Sequence, residues 1–114
     1  MATVVAAMSG VPFDMIVAGT TGSGTIVAPP PSFRNHTFLI KGSSGVGAGA
    51  IQIESSNDPA DAGTWAPVGS GPITVVASSK LLAQFSGIFS FLRARISTTV
   101  TGGGSLTATY VGQL

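Results

Sequence analysis

Few residues in this 114-residue chain could do acid–base, nucleophilic or metal chemistry. The chain has one histidine (His36), no cysteine and four acidic residues. Hydrolytic chemistry needs a base beside a nucleophile or two facing carboxylates, and the only close pair of acids is Asp58 and Asp61. Those two flank Pro59 after Asn57, which favours an Asx-rich turn over a calcium site, since calcium takes six to eight oxygens. We therefore predict no enzyme activity, no metal and no cofactor.

Glu54 and two arginines are the first candidates for an interaction role. Glu54 closes an alternating stretch in which Ile51 and Ile53 face one way, as in a half-buried strand. Arg93 and Arg95 share one face of a second such stretch, Phe89 to Ile96. If the two strands are neighbours, Glu54 can meet one of these arginines, and such a pair contributes roughly 0.2–1 kcal/mol. That contact would help to set the strand register.

Trp65 is the next candidate, and its role has two interpretations. It is the only tryptophan and follows the Asx-rich turn. Buried in the core, it would contribute through its large apolar area. Exposed, Trp65 and Tyr110 could be stacking platforms of a carbohydrate-binding module. The core interpretation is favoured, and the sugar-binding module stays open as an alternative.

The elements that must position these residues are short strands. Charged residues make up only 8% of the chain, against about 25% in an average soluble domain. Gly-rich turns separate short apolar or alternating segments. The stretch Ser79 to Gly87 fits either one helical turn or an irregular strand. Seven to nine close-spaced strands with almost no helix predict an all-β fold, an antiparallel β-sandwich or jelly-roll-like architecture.

The first third of the chain carries a separate prediction. Asp14 is the only charged residue among the first 33, and Pro29, Pro30 and Pro31 close the region. Three prolines lack N–H donors and interrupt a sheet. They could form an ordinary linker or a hinge for an arm that reaches a neighbouring subunit. We therefore divide the chain into residues 1–31, an extended N-terminal arm or edge strands, and residues 32–114, the β-sandwich core.

Charge and hydropathy narrow the possible partners. The formal net charge is +1 without a basic cluster, which argues against nucleic acid. No run of twenty apolar residues occurs, so a membrane span is not expected. With 44% hydrophobic and 8% charged residues, the chain has little polar surface for a monomer. A homo-oligomer is therefore expected.

Two motifs resemble small virion structural proteins of tailed bacteriophages. The first runs from Ile51 to Asp58 with Trp65 after it, and the second is Leu92 to Ser97, with the sequence LRARIS. The resemblance covers roughly Phe38 to Val111, and the turn Pro59 to Thr64 is longer here than is usual in that family. It implies a capsid decoration (cement) protein first and a tail or neck component second. It also implies a location in the virion, contacts with the major capsid protein or other virion proteins, and a trimer.

Overall fold

Eleven strands make up the regular structure of the residues that are described. The computed structural model describes residues 4–58, 60, 64–69 and 71–114. The strands in chain order are β1 (Val4–Ala6), β2 (Phe13–Gly19), β3 (Gly22–Ser23), β4 (Ile26–Ala28), β5 (Asn35–Gly42), β6 (Ala48–Ser56), β7 (Ala66–Pro67), β8 (Ile73–Thr74), β9 (Lys80–Ser86), β10 (Phe91–Thr101) and β11 (Leu106–Gln113). Within the described ranges, no helix is long and apolar enough to cross a membrane.

The strands form two sheets that pack against each other. Sheet A has the order β1-β4-β10-β6-β7, and β3 and β8 also pair with β10 and β6 respectively. Sheet B has the order β2-β11-β5-β9. Every pairing is antiparallel except β1 with β4. The predicted all-β sandwich is therefore confirmed.

The core follows from the period of two in the long central strands. Alternate residues of β6, β10 and β11 turn inward, and each buried Leu or Ile side chain contributes roughly 1.5–3 kcal/mol. The largest fully buried apolar side chains are Tyr110, Phe38, Ile26, Ile40, Ile51, Ile53, Leu92, Leu106, Val27 and Val75. The residues that alternate with them point to the opposite faces of these strands, and Glu54, Arg93 and Arg95 lie there.

Strand β9 resolves the segment that the sequence left open between helix and strand. Leu81, Ala83 and Phe85 are half-buried, whereas Leu82 and Gln84 are exposed, which is a strict period of two. A helical turn would have placed Leu81, Leu82 and Phe85 on one face. Pairing along the whole of β5 selects the strand instead, and Leu82 is left 67% exposed.

The first strands of the chain are built into both sheets. Strand β2 lies at an edge of sheet B, while β1, β3 and β4 belong to sheet A. Met15, Ile16, Ile26 and Val27 are buried in the common core. The described part of the N-terminal segment thus packs on its own domain as strands, not as an arm that projects from it. The division into residues 1–31 and 32–114 stays a prediction.

The three prolines connect the two sheets. Strand β4 ends in sheet A, and the chain crosses over Pro29 to Pro31 before it enters β5 of sheet B. Pro29 is buried, Pro30 is half-buried and its carbonyl accepts a hydrogen bond from the Phe33 N–H at 3.0 Å. A stiff segment without N–H donors suits this connection between the sheets, because the connection does not need N–H groups for pairing with a strand.

Candidate interaction surface

Glu54 lies at the centre of a charged cluster on the outer face of sheet A. Strands β6 and β10 pair so that Arg93 lies opposite Glu54 and Arg95 opposite Gln52. Arg93 Nε donates to Glu54 Oε1 at 2.8 Å, and Arg95 Nε donates to Glu54 Oε2 at 3.1 Å. Gln52 Nε2 donates to the same Oε2 at 2.7 Å. The structure thus brings Glu54 together with both arginines, where the sequence predicted contact with one.

The cluster shields Glu54 from solvent and holds it ionised. Its side chain is only 5% exposed, while those of Arg93 and Arg95 are 17% and 37% exposed. Burial alone would raise the pKa of the Glu54 carboxyl. The hydrogen bonds from Arg93, Gln52 and Arg95 outweigh burial, so the pKa lies below its ordinary value. The outer face therefore carries a fixed carboxylate beneath two guanidinium groups.

Trp65 extends this cluster and is not a core residue, so the favoured core interpretation is wrong. The Arg93 guanidinium carbon lies 4.2 Å from the centroid of the Trp65 ring, a cation–π contact. The residue is half-buried. It precedes β7, whose Ala66 and Pro67 pair with the end of β6. That short edge strand places the ring over Arg93 on the outer face and away from the space between the sheets.

The turn after β6 is organised by its own side chains. Asp58 Oδ1 accepts a hydrogen bond from the Ala60 N–H at 3.0 Å, and Ser56 Oγ accepts one from the Asp58 N–H at 3.0 Å. These are the local contacts of an Asx-rich turn. Asp61, the other acid considered for calcium, lies outside the described residues. Among those that are described, no three acidic or histidine side chains come together as a metal site would require.

His36 is committed to structural contacts in sheet B. Its Nε2 lies 2.9 Å from the carbonyl oxygen of Gly87, which can only accept, so Nε2 carries the proton. In the neutral ring, Nδ1 then accepts from the Tyr110 hydroxyl at 2.7 Å. An open pocket of about 420 Å³ lies beside it, lined by Asn35, Thr37, Gln84, Phe85, Ser86 and Gln113 as well as His36. Both imidazole nitrogens of His36 therefore have hydrogen-bond partners within the fold.

Among the residues that form the surface, Gln52 was the one that sequence reasoning missed as a candidate. It shares the outward face of β6 with Glu54 and fixes one carboxylate oxygen. The alternation placed Gln52 on the same face as Glu54. A polar residue two positions from a candidate carboxylate on the same strand is the signal that could have identified Gln52. We call Gln52, Glu54, Trp65, Arg93 and Arg95 the outer cluster.

No family model and no curated protein matches this chain. Among solved structures, the SPBc2 prophage-derived protein YomS is similar with a TM-score of 0.58 at 16% identity, covering 90% of this chain and 92% of YomS. The K1 cleaved adhesin domain of Lys-gingipain from Porphyromonas gingivalis W83 is similar with a TM-score of 0.52 at 10% identity, covering 89% of this chain and 69% of that one. At these identities the likeness concerns the fold.

Proposed function

We propose that this chain is a bacteriophage virion structural protein that decorates the capsid and stabilises the head through contacts with neighbouring subunits. The observation that carries the proposal is the shared fold with a prophage-derived protein over nearly the full length of both chains. The motifs that resemble phage virion proteins, Ile51 to Asp58 and Leu92 to Ser97, lie on β6 and β10, which are paired strands at the centre of sheet A.

The surface supports an assembly role. Several large apolar side chains are exposed, namely Val4, Met8, Val11, Val17, Val76, Leu82, Ile88 and Leu114. Single exposed apolar residues are ordinary, but a chain with only 8% charged residues has few charges to keep such surfaces apart. Contacts with other virion proteins and with copies of itself would cover them. In this proposal the protein has no catalytic role, and its location is the capsid surface.

The test is the position of the chain on purified particles. A tag can be attached after Leu114, which is 71% exposed and lies beyond the end of β11. Particles purified from a phage that carries the tagged gene are expected to show gold label over the head and to lose heads on heating when the gene is deleted. Label confined to the tail or neck would replace the capsid role with the tail alternative. Particles without the chain would contradict a virion role altogether.

A second candidate is a carbohydrate- or receptor-binding module, and Trp65 is the observation that favours it. Its ring is half-buried on the outer face beside Arg93 and could stack on a sugar, to which the polar groups of the outer cluster could hydrogen-bond. The similar adhesin domain supports this only as a fold that also occurs in an adhesin. A glycan array probed with the wild type and with Trp65→Ala tests it. Binding that the Trp65 variant loses would favour the module, and an array without signal would remove this support.

A further inference from the structure

Strand β9 is an edge strand whose outer row of backbone groups has no partner among the described strands. It pairs only with β5, from Lys80 opposite Lys41 to Ser86 opposite Asn35. The ladder continues beyond both ends, where the Gly42 N–H donates to Ser79. Because hydrogen-bonded pairs alternate in an antiparallel ladder, the odd-numbered residues of β9 bond to β5. The even-numbered residues 80 to 86 direct their N–H and C=O groups away from the sheet.

The edge at β9 also lacks the features that protect the other sheet edges. Natural proteins blunt edges with short strands, prolines, bulges and charged residues. In sheet A, β1 has three residues, and β7 has two, one of which is Pro67. In sheet B, β2 is irregular in its register and carries Asp14. Strand β9 has seven residues in strict alternation, no proline and a single charge at its first position.

We propose that this edge binds the same edge of a second copy, so that the two B sheets join into one continuous antiparallel sheet across a twofold axis. Antiparallel pairing of two identical edges makes such an isologous, twofold contact. With the axis at Ala83, all seven residues of each strand are paired. Lys80 then lies opposite Ser86 of the second copy, and Leu82 opposite Gln84. The outward backbone groups form four hydrogen-bonded pairs, or about eight hydrogen bonds.

The side chains fit this register. The two Lys80 residues lie six positions apart along the strands, about 20 Å, which exceeds the screening length of about 8 Å at physiological salt. The two Leu82 side chains become diagonal neighbours on the outer face and cover each other's exposed surface, which is 67% of each side chain in the single chain. The half-buried Leu81 of one copy meets Phe85 of the other, which extends the core between the two sandwiches.

Such a contact is small, so we expect weak self-association in solution that strengthens when many copies are held close together. A seven-residue strand edge buries less than the roughly 1,600 Å² of a standard interface. The inference does not depend on the virion role, because it concerns the purified chain alone. It specifies a twofold contact, whereas the trimer expected from the resemblance would need a different surface.

Gln84→Pro is the most selective variant. The Gln84 N–H points to the free edge, so proline removes no hydrogen bond between β9 and β5 but blocks the second copy. In sedimentation equilibrium from about 10 µM to 1 mM, a range suited to a small interface, the average mass of the wild type should rise towards twice the chain mass. The variant should stay at the mass of one chain. Circular dichroism of the variant checks that the fold is retained.

A matched pair of charge substitutions separates the edge from general surface effects. Leu82 and Val17 are 67% and 70% exposed, and both lie on edge strands of sheet B. Leu82→Lys should abolish the concentration dependence, because it places like charges beside each other at the twofold axis. Val17→Lys should leave it unchanged. Equal loss in both variants would mean that apolar surface in general, and not the β9 edge, drives association.

Cysteine trapping tests the register directly, since the chain has no cysteine of its own. Two Ala83 residues at the axis form a non-hydrogen-bonded pair with Cα atoms about 4.5 Å apart, within the range of a disulfide. Two Leu81 residues would lie roughly 14 Å apart and cannot be bridged. Ala83→Cys should therefore oxidise to a disulfide-linked dimer, and Leu81→Cys should not. The proposal would be overturned if the wild type stayed monomeric at the highest concentration and the two cysteine variants cross-linked to the same extent.

Discussion

The Tyr110 hydroxyl donates a hydrogen bond to Nδ1 of His36 inside the sandwich, with 2.7 Å between the heavy atoms. The contact joins β11 to β5, and the Gly87 carbonyl holds the other side of the imidazole in the loop after β9. Gly112 makes this arrangement possible, because a Cβ at that position would lie 2.3 Å from the Tyr110 hydroxyl oxygen. The pair fixes the end of sheet B that borders the proposed edge contact.

Tyr110 should make the protein sensitive to alkaline pH. Burial raises the pKa of Tyr110 to about 12, whereas the unfolded chain ionises near the ordinary value of about 10. Between these values the unfolded state loses its proton first, so the free energy of unfolding should fall as pH rises, by about 2–3 kcal/mol in total. Since Tyr110 is the only tyrosine, its phenolate absorbance reports this change without overlap.

Tyr110→Phe is the control for this prediction. It keeps the ring in the core and removes both the titration and the hydrogen bond to His36, at a cost of about 0.5–1.5 kcal/mol at neutral pH. The fall in stability above about pH 10 should be smaller in the variant than in the wild type. Phenolate absorbance near pH 10 in a chain that is still folded would show that the Tyr110 hydroxyl is not shielded.

Glu54→Gln should destabilise the outer cluster at neutral pH. The substitution removes the charge that Arg93 and Arg95 share but keeps one acceptor oxygen, so we expect a loss of about 1–3 kcal/mol in urea unfolding. Asp14→Asn is the matched control, because Asp14 is exposed and accepts a hydrogen bond from Thr109 Oγ1 at 2.7 Å. Its effect should lie within about 0.5 kcal/mol.

The difference between the wild type and Glu54→Gln should depend on pH in a defined direction. The folded pKa of Glu54 is lowered from 4.5, so its contribution is complete above that value and is lost as pH falls through the folded pKa. The two proteins should therefore differ fully at pH 7 and converge under acidic conditions. A difference that stays constant down to acid unfolding would mean that the Glu54 charge contributes nothing and that only packing changed.

Trp65→Ala should cost less than a core substitution. The ring is half-buried and contacts the Arg93 guanidinium, so we expect a loss of about 1–2 kcal/mol, of which the cation–π contact accounts for about 0.5–1 kcal/mol. Phe38→Ala, at a residue with no exposed surface, should cost about 3–5 kcal/mol. Urea unfolding followed by circular dichroism compares them. Equal losses would mean that the Trp65 ring contributes as much to stability as a core side chain does.

The alternation of apolar residues predicted the all-β class and the faces of β6 and β10, because a period of two determines which side chains turn inward. Trp65 lies outside any strand, so no period specified its face, and its large apolar area favoured the core. Strand order could not be read either. Strand β4 lies beside β10 through Leu92 and Val27, residues that are far apart in the chain. Such pairings depend on the whole fold, and local sequence does not encode them.

Residues 1–31 provide the last prediction. The sequence left a linker and an assembly arm open, and removal of an arm would leave Ser32 to Leu114 folded; the structure favours the opposite result. Deletion of residues 1–31 removes β2 from sheet B and β4 from sheet A, together with four buried core side chains. It would expose β10 and β11 along their edges. We therefore expect the shortened chain to aggregate or to lose its strand signal in circular dichroism.

Deletion of residues 1–8 is the control for that experiment. Of the described strands it removes β1 alone, an edge strand whose residues are exposed or half-buried, so the sandwich should remain folded. If the chain without residues 1–31 were instead soluble, folded and cooperative in unfolding, the N-terminal strands would be dispensable for the core. Their apolar residues would then have to serve contacts with another subunit, as an assembly arm would by adding to a sheet edge.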